Sequence, residues 1–501
     1  MEKSIIIIGG GLTGLAAGCY GRMNGYRTSI FEMHDKAGGV CTGWKRKGYT
    51  IDGAMNWLLG TKPGTAYYKF WEELGAAQKW QIYDHDRFML VEDENGKVFE
   101  MYNDADRLER ELIKLAPEDE ALIREYMNAI RASARFDILV EKPREVFGFI
   151  DTIKMVKMLP LLGFMRKWGK MTASDYFRRA KNPLLRKILN MNAEFESLDM
   201  PMVGMIMMFA WQHNKEAGYV IGGALALVDY IQQRYLDLGG ELHCKAKVEK
   251  ILVEDGKAAG IRLADGTEHR GDFVISAADG RTTIFDMLDG KYIDDRIRGY
   301  YDNLALFPPL IYVGLGVART FDEVPPAVSG LSFSLEKPVT IAGNEHKELG
   351  VLIYNFDPEL APEGKSVVKV QFNTDYEYWE KLYREPERYK AEKEQIADTV
   401  IELLDKRFPG LAEQVEMRDV ATPVTWVRYT GNWKGSYEGW MISPETFMME
   451  MKKTLPGLEN FYMSGQWVNP GGGMPTAVMS GNHTIQIICK KDKKKFVTST
   501  P

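Results

Sequence analysis

Ile5-Ile6-Ile7-Ile8-Gly9-Gly10-Gly11-Leu12-Thr13-Gly14 opens the chain, continues through Leu15-Ala16-Ala17-Gly18-Cys19-Tyr20-Gly21-Arg22-Met23, and returns as Thr28-Ser29-Ile30-Phe31-Glu32. An unbroken β-branched run predicts a strand buried on both faces of a parallel sheet. Gly9, Gly11 and Gly14 fit G-x-G-x-x-G, and the small residues after them predict a helix lying close to that sheet. Gly9 permits the tight turn, Gly11 lets a pyrophosphate approach the backbone, and Gly14 allows helix–strand contact. Leu12 and Thr13 stand within the turn; the helix that follows from Leu15 offers free N–H groups and a partial positive charge that suit phosphate, and Glu32 ends the second strand where it can accept from ribose hydroxyls. A lone glycine fingerprint is a weak signal, but here strand, turn, helix and acid stand in sequence.

The bulk properties fit a large globular protein. The chain has 501 residues, of which 45% are apolar, and a net charge of −6. That is enough apolar material for several cores, and the absence of a basic field argues against nucleic acid as a partner. Cys19, Cys41, Cys244 and Cys489 are widely spaced, with no C-x-x-C pair, which disfavours zinc and a disulfide framework and predicts a reducing, cytoplasmic setting. No metal site is expected. Met1-Glu2-Lys3-Ser4 runs straight into the first strand without the features of an export signal, and no apolar run is long enough to span a membrane.

Beyond Glu32 come Met33 and the double glycine Gly38-Gly39-Val40, then Ile51-Asp52-Gly53. These resemble the E-x(5–6)-G-G and D-x-G elements of the amine-oxidase and phytoene-desaturase superfamily of flavoproteins. That family usually carries Arg or Lys after the double glycine; here Val40 stands in its place, with Lys45 and Arg46 as candidate substitutes. Near the other end, Thr422 to Trp440 leads to Phe461-Tyr462-Met463-Ser464-Gly465-Gln466 and Gly471-Gly472-Gly473-Met474-Pro475-Thr476-Ala477. The pair of segments is similar to the C-terminal signature of the phytoene desaturase, carotenoid isomerase and retinol saturase group.

The resemblance implies an α/β fold: a discontinuous Rossmann-like FAD-binding domain from 1–102, 216–290 and 451–501, a helical insert at 103–215, and a substrate-domain sheet with helices at 291–450. It implies FAD as cofactor, contacted around Met55, Asn56 and Trp57, by the backbone of Val248, and by Gly465, Gln466, Gly473, Met474 and Ala477. A helix beginning after the glycine run would direct its positive end at the flavin pyrimidine and stabilise negative charge there. Gly314-Leu315-Gly316 imitates a second nucleotide turn but lacks the third glycine and the helix, so one dinucleotide site is expected.

Two stretches bear on the substrate. Residues 154–170 mix Met, Leu, Phe and Trp with five cations and are broken by Pro160. A peripheral contact at the inner face of a membrane is one reading; helices packed on the core are the other. Met202 to Phe209 is Met-rich and apolar, which suits either a core or a pliable pocket. The sequence therefore points to an oxidoreductase acting on C–C bonds of an elongated apolar molecule. An amine or amino-acid oxidase with an aromatic cage from Trp57, Trp433 and Tyr437, and a flavin-bearing lipid-binding protein without turnover, stand beside it. No catalytic acid or base is identifiable, because the seven His are scattered and no triad or metal motif occurs.

Overall fold

A computed structural model describes residues 2–136, 140–149, 151, 159–189, 200–447, 449 and 451–501. Strands Glu241–His243, Arg27–Phe31, Ser4–Ile8, Phe273–Ser276 and Phe461–Met463 lie in that order in a five-stranded sheet, every pair parallel. Ser4–Ile8 is central and buried throughout, as its β-branched run requires. Parallel pairing sends the carboxyl ends of these strands to one edge, so the turn after Ile8, the segment Ala277–Asp279 and the segment after Met463 emerge side by side. Three separate stretches of chain thus meet at one site.

The opening helix Leu12–Met23 and the terminal helix Met474–Lys491 cover this sheet together. They touch almost backbone to backbone: a Cβ placed on Gly481 would lie 2.7 Å from the Thr13 carbonyl oxygen and 2.8 Å from the Ala17 nitrogen. The small residues Ala16, Ala17 and Gly481 are what permit so close a crossing.

A seven-stranded mixed sheet forms the second layer, in the order Val415–Ala421, Leu310–Val317, Ser366–Asn373, Asn344–Ile353, Leu331–Ile341, Arg87–Glu92, Val98–Tyr102. Its outer hairpin, 87–102, was expected with the nucleotide domain. Instead Leu90 and Val91 pair in parallel with Leu331 and Ser332, so this hairpin belongs to the large sheet and the first nucleotide-side segment ends before it. Sequence proximity fails here because an edge hairpin takes whichever sheet edge is free. Gly314 and Gly316 sit inside Leu310–Val317, where a Cβ would strike Ile51 at 2.7 Å and Tyr49 at 2.6 Å. They let the short hairpin Gly43–Arg46/Tyr49–Asp52 lie on the strand, which explains glycines that imitate a nucleotide motif.

The helical insert contributes Ala105–Leu115, Glu120–Ser133, Leu159–Trp168, Ala173–Phe177, Pro183–Leu189 and Met202–His213, packed on a core of their own. Of the basic stretch, residues 154–158 lie outside the described set. In Leu159–Trp168, Trp168 is buried and Phe164 and Met165 pack on the core, while Leu162 faces solvent at 54% exposure. Among the described residues no helix is long and apolar enough to cross a membrane.

Candidate functional site

The site begins with backbone. Gly11 caps the opening helix with no side chain on its free N–H groups. The double glycine is drawn against it: the Gly38 N–H donates to the Gly10 carbonyl at 2.9 Å, and a Cβ on Gly39 would come within 3.3 Å of Gly11 Cα. Gly38 and Gly39 both have positive φ, at 124° and 59°. Gly14 acts one step further back, since a Cβ there would sit 2.0 Å from the Gly9 carbonyl oxygen. The result is a bare cradle of N–H groups at a helix start, suited to an anion that approaches the main chain.

Glu32 is buried beside it. Its Oε2 accepts from the Gly10 N–H at 2.7 Å and its Oε1 from the His34 N–H at 2.8 Å. Burial raises its pKa while those amides pull it back, and the remaining lone pairs stay open to ribose hydroxyls. Asp52 of the D-x-G element works structurally: it accepts from the Ala54, Met55 and Ala224 N–H groups and so ties this loop to the helix Gly223–Asp237.

The C-terminal arm closes the site. A Cβ on Gly465 would lie 3.0 Å from Thr13 Oγ1. The Gly465 N–H donates to Ser480 Oγ at 2.8 Å, and Ser480 also receives the buried Lys453 ammonium at 2.7 Å. Gly473 caps the terminal helix, again with no side chain on the N–H groups. Two uncapped helix starts therefore face one space.

That space is a cavity of about 2040 Å³. It is lined by Gly9, Gly11, Leu12, Thr13, Glu32, Met33, Gly38, Gly39, Val40, Asn56, Trp57, Val248, Gly465, Gln466, Gly473, Met474 and Ala477, all singled out from the sequence. Gly14 and Met55 are outside the lining; Gly14 packs on the turn, and Met55 is fully buried in the core. Lys45 and Arg46 are exposed on their hairpin and outside the lining, so neither replaces the cation missing at Val40. Trp433 is also outside the lining and packs with Tyr301, Trp440 and Trp467. The three-aromatic cage does not form.

The cavity is larger than the ~300–1,000 Å³ typical of one small ligand, so it has room for a second molecule beside a dinucleotide. Past Trp57 its walls become Met-rich, with Met89, Met205, Met207 and Met208, together with Phe88, Trp211 and Phe447. Exposed residues Pro183, Arg186, Glu345 and Lys347 also line it.

Two polar residues of this cavity escaped sequence reasoning. Lys369 is 1% exposed, with its ammonium 3.3 Å from the Asp52 carbonyl and from Asn56 Oδ1, and over the Tyr354 ring at 5.3 Å. Glu438 borders the glycine run, and burial pushes its carboxyl up to about 7. A cation in the middle of the apolar run Ser366–Phe372, and an acid between Tyr437 and Gly439-Trp440, were the available signals.

A model of the flavin containing amine oxidoreductase family matches residues 12–488. The chain belongs to that family. This flavin containing amine oxidoreductase is similar to the chloroplastic prolycopene isomerase of Arabidopsis thaliana, at 24% identity over 488 residues, 95% of this chain and 81% of that protein. It is likewise similar to the neurosporene-forming phytoene desaturase of Rhodobacter capsulatus, at 25% identity over 508 residues, covering 96% and 93%. In fold it matches an oxidoreductase from Methanosarcina mazei with TM-score 0.60 at 16% identity (96% and 100% covered). Putrescine oxidase bound to putrescine gives TM-score 0.58 at 14% identity (98% and 99% covered).

The protein is an FAD-dependent oxidoreductase with an α/β fold. The glycine cradle and the two uncapped helix starts fit that cofactor. Bound there, FAD supplies two-electron exchange with carbon. The chain's own part would be to hold the dinucleotide through the backbone N–H groups of the cradle, orient a partner molecule against the Met-rich walls and keep water from the reacting carbons.

Proposed function

We propose that this enzyme changes the C–C bond order or geometry of an elongated apolar polyene, by desaturation, saturation or redox-assisted isomerisation. The observation that carries the reading is the Met- and aromatic-walled arm continuing from the cofactor cradle. Thioether side chains conform to a long flexible chain without demanding polar partners. The relatives named for prolycopene and phytoene support it. Against an amine substrate stands the dispersal of Trp433 from Trp57 and Tyr437.

The reading includes a place of loading. We assign the described part of the basic stretch, residues 160–170, to contact with an anionic membrane, supported by exposed Leu162 beside the exposed cations Arg166 and Lys167. Co-sedimentation with anionic but not neutral vesicles is the expected result; no sedimentation with either removes this contact.

The test of the activity uses FAD-loaded protein, photoreduced without oxygen and mixed with prolycopene or with a saturated amine. Flavin reoxidation or polyene isomerisation with the former supports the reading. Oxidised enzyme that is reduced by the amine and releases peroxide in air, with no response to the polyene, overturns it.

A further inference from the structure

Glu438 is held where the chemistry of the cavity concentrates. Its turn is pinned on both sides: Ser436 Oγ accepts from the Gly439 N–H and donates to the Gly439 carbonyl, and the Gly439 carbonyl also accepts from the Phe307 N–H at 3.0 Å. The Trp440 carbonyl accepts from the Gly471 N–H at 3.0 Å. The glycine run makes room for the acid, because a Cβ on Gly472 would fall 2.7 Å from Glu438 Cβ, and one on Gly473 would fall 3.8 Å from Glu438 Oε1. The carboxyl therefore lies at the start of the terminal helix and lines the cavity. Among the described residues it has no hydrogen-bond or ion-pair partner.

Among the described residues, the titratable groups around it are these. Tyr312, on Leu310–Val317, feels its charge and is itself raised by burial. Lys369 stands on the adjoining strand, Tyr437 is its chain neighbour, Asp52 lies beyond Tyr312, and Lys453 is engaged with Asn469 and Ser480. The histidine that lines the cavity is His346, on the strand Asn344–Ile353.

We propose that Glu438 is the proton site coupled to electron transfer in this cavity, taking up one proton each time the bound flavin is reduced. The inference rests on the assignment of FAD to this cradle. An uncapped helix start attracts one negative charge. A flavin held in this cradle with its ring toward Gly473 would on reduction add a second negative charge at the same helix end, and the two would repel until the carboxyl protonated. Burial already brings the carboxyl to about 7, so a modest push carries it across neutral pH. The balance is simple: a reductant supplies two electrons, one proton goes to the flavin ring, and a second goes to the Glu438 carboxylate. In desaturation the substrate would supply both electrons and both protons: one C–H would leave as hydride to the bound cofactor, the neighbouring C–H would give its proton to Glu438, and that bond's electron pair would become the C=C bond.

The test is the midpoint potential of FAD-loaded protein against pH, measured by dithionite titration with dye mediators and no substrate. In wild type the slope above pH ~7 should correspond to two protons per two electrons, and in Glu438→Gln it should halve to one. Equal slopes in the two proteins, or a one-proton slope in wild type, overturn the inference while leaving the cofactor assignment intact. A wild-type protein that takes up no flavin overturns both. Where Glu438→Gln does not hold flavin, Glu438→Asp is read instead: the pH at which the slope bends should move, and an unmoved bend overturns the inference.

Discussion

Replacing Gly481 by alanine probes the joint between the two ends of the chain. The added methyl would sit 2.7 Å from the Thr13 carbonyl oxygen, 2.8 Å from the Ala17 nitrogen and 3.0 Å from Ala16 Cβ. Ordinary contact needs about 3.5 Å, so the terminal helix must back away by about 0.7 Å. The obstacle is helix backbone, which cannot swing aside, and such overpacking costs about 1–3 kcal/mol. Removing a glycine from a helix interior returns up to ~1 kcal/mol, so the net effect is a loss of about 0–2 kcal/mol. Spread over 501 residues, that lowers Tm by at most about 2 °C. Cofactor affinity is the sharper readout. A retreat of ~0.7 Å takes a 2.9 Å hydrogen bond out of range, and losing one to a charged phosphate costs about 1.5–3 kcal/mol. The Kd for FAD, measured by flavin fluorescence quenching on the apoprotein, should therefore rise at least about tenfold. Gly163→Ala, in the helix Leu159–Trp168 where nothing lies within 4 Å of the new methyl, is the control and should leave Kd unchanged. A Gly481→Ala protein with Kd within twofold of wild type and an equal or higher Tm refutes the reasoning.

Gly39→Ala places a side chain at φ 59° and 3.3 Å from Gly11 Cα, so FAD affinity should fall by roughly tenfold to a hundredfold in the same titration. Glu32→Ala leaves the Gly10 and His34 amides without their carboxylate. It should weaken FAD binding by at least about 1.5 kcal/mol, read by calorimetry. Met208→Trp fills part of the apolar arm without touching the cradle; polyene turnover should drop while flavin content, from the visible spectrum, stays at wild-type level. Buried His483 has its pKa lowered to about 4, so the unfolded chain binds its proton first on acidification. Its contribution is complete above the ordinary value of 6.5 and is lost as pH falls toward 4, by about 3 kcal/mol in all. Denaturant unfolding of His483→Gln should show a flatter decline over that window.

The opening unit was legible because strand, turn and helix there follow from local chemistry: a β-branched run, obligatory glycines and small helix residues. The C-terminal arm was legible as Gly465 and the glycine run; the helix starts at Met474, directly after that run, since Pro475 fits a first turn whose N–H groups have no partner within the helix. What stayed hidden was long-range. The pairing of Leu90 with Leu331 depends on which sheet edge is vacant, and the meeting of Ile51 with Gly314 on a hairpin laid across the face of a strand already paired on both sides. Lys369 looked like an interruption in a strand, and Glu438 like one acid among 70 acidic residues. Their significance comes from burial against the cavity, which no local pattern encodes. The aromatic cage failed for the same reason, as Trp433 turned toward Trp440 and Trp467.

Amide hydrogen exchange with and without FAD reads the union of the two termini on a single cofactor. Protection should appear together in residues 9–14, 38–40 and 465–477, at equal FAD concentration and with one FAD bound per chain. Protection confined to the opening turn, with 465–477 exchanging as in the apoprotein, would contradict the account.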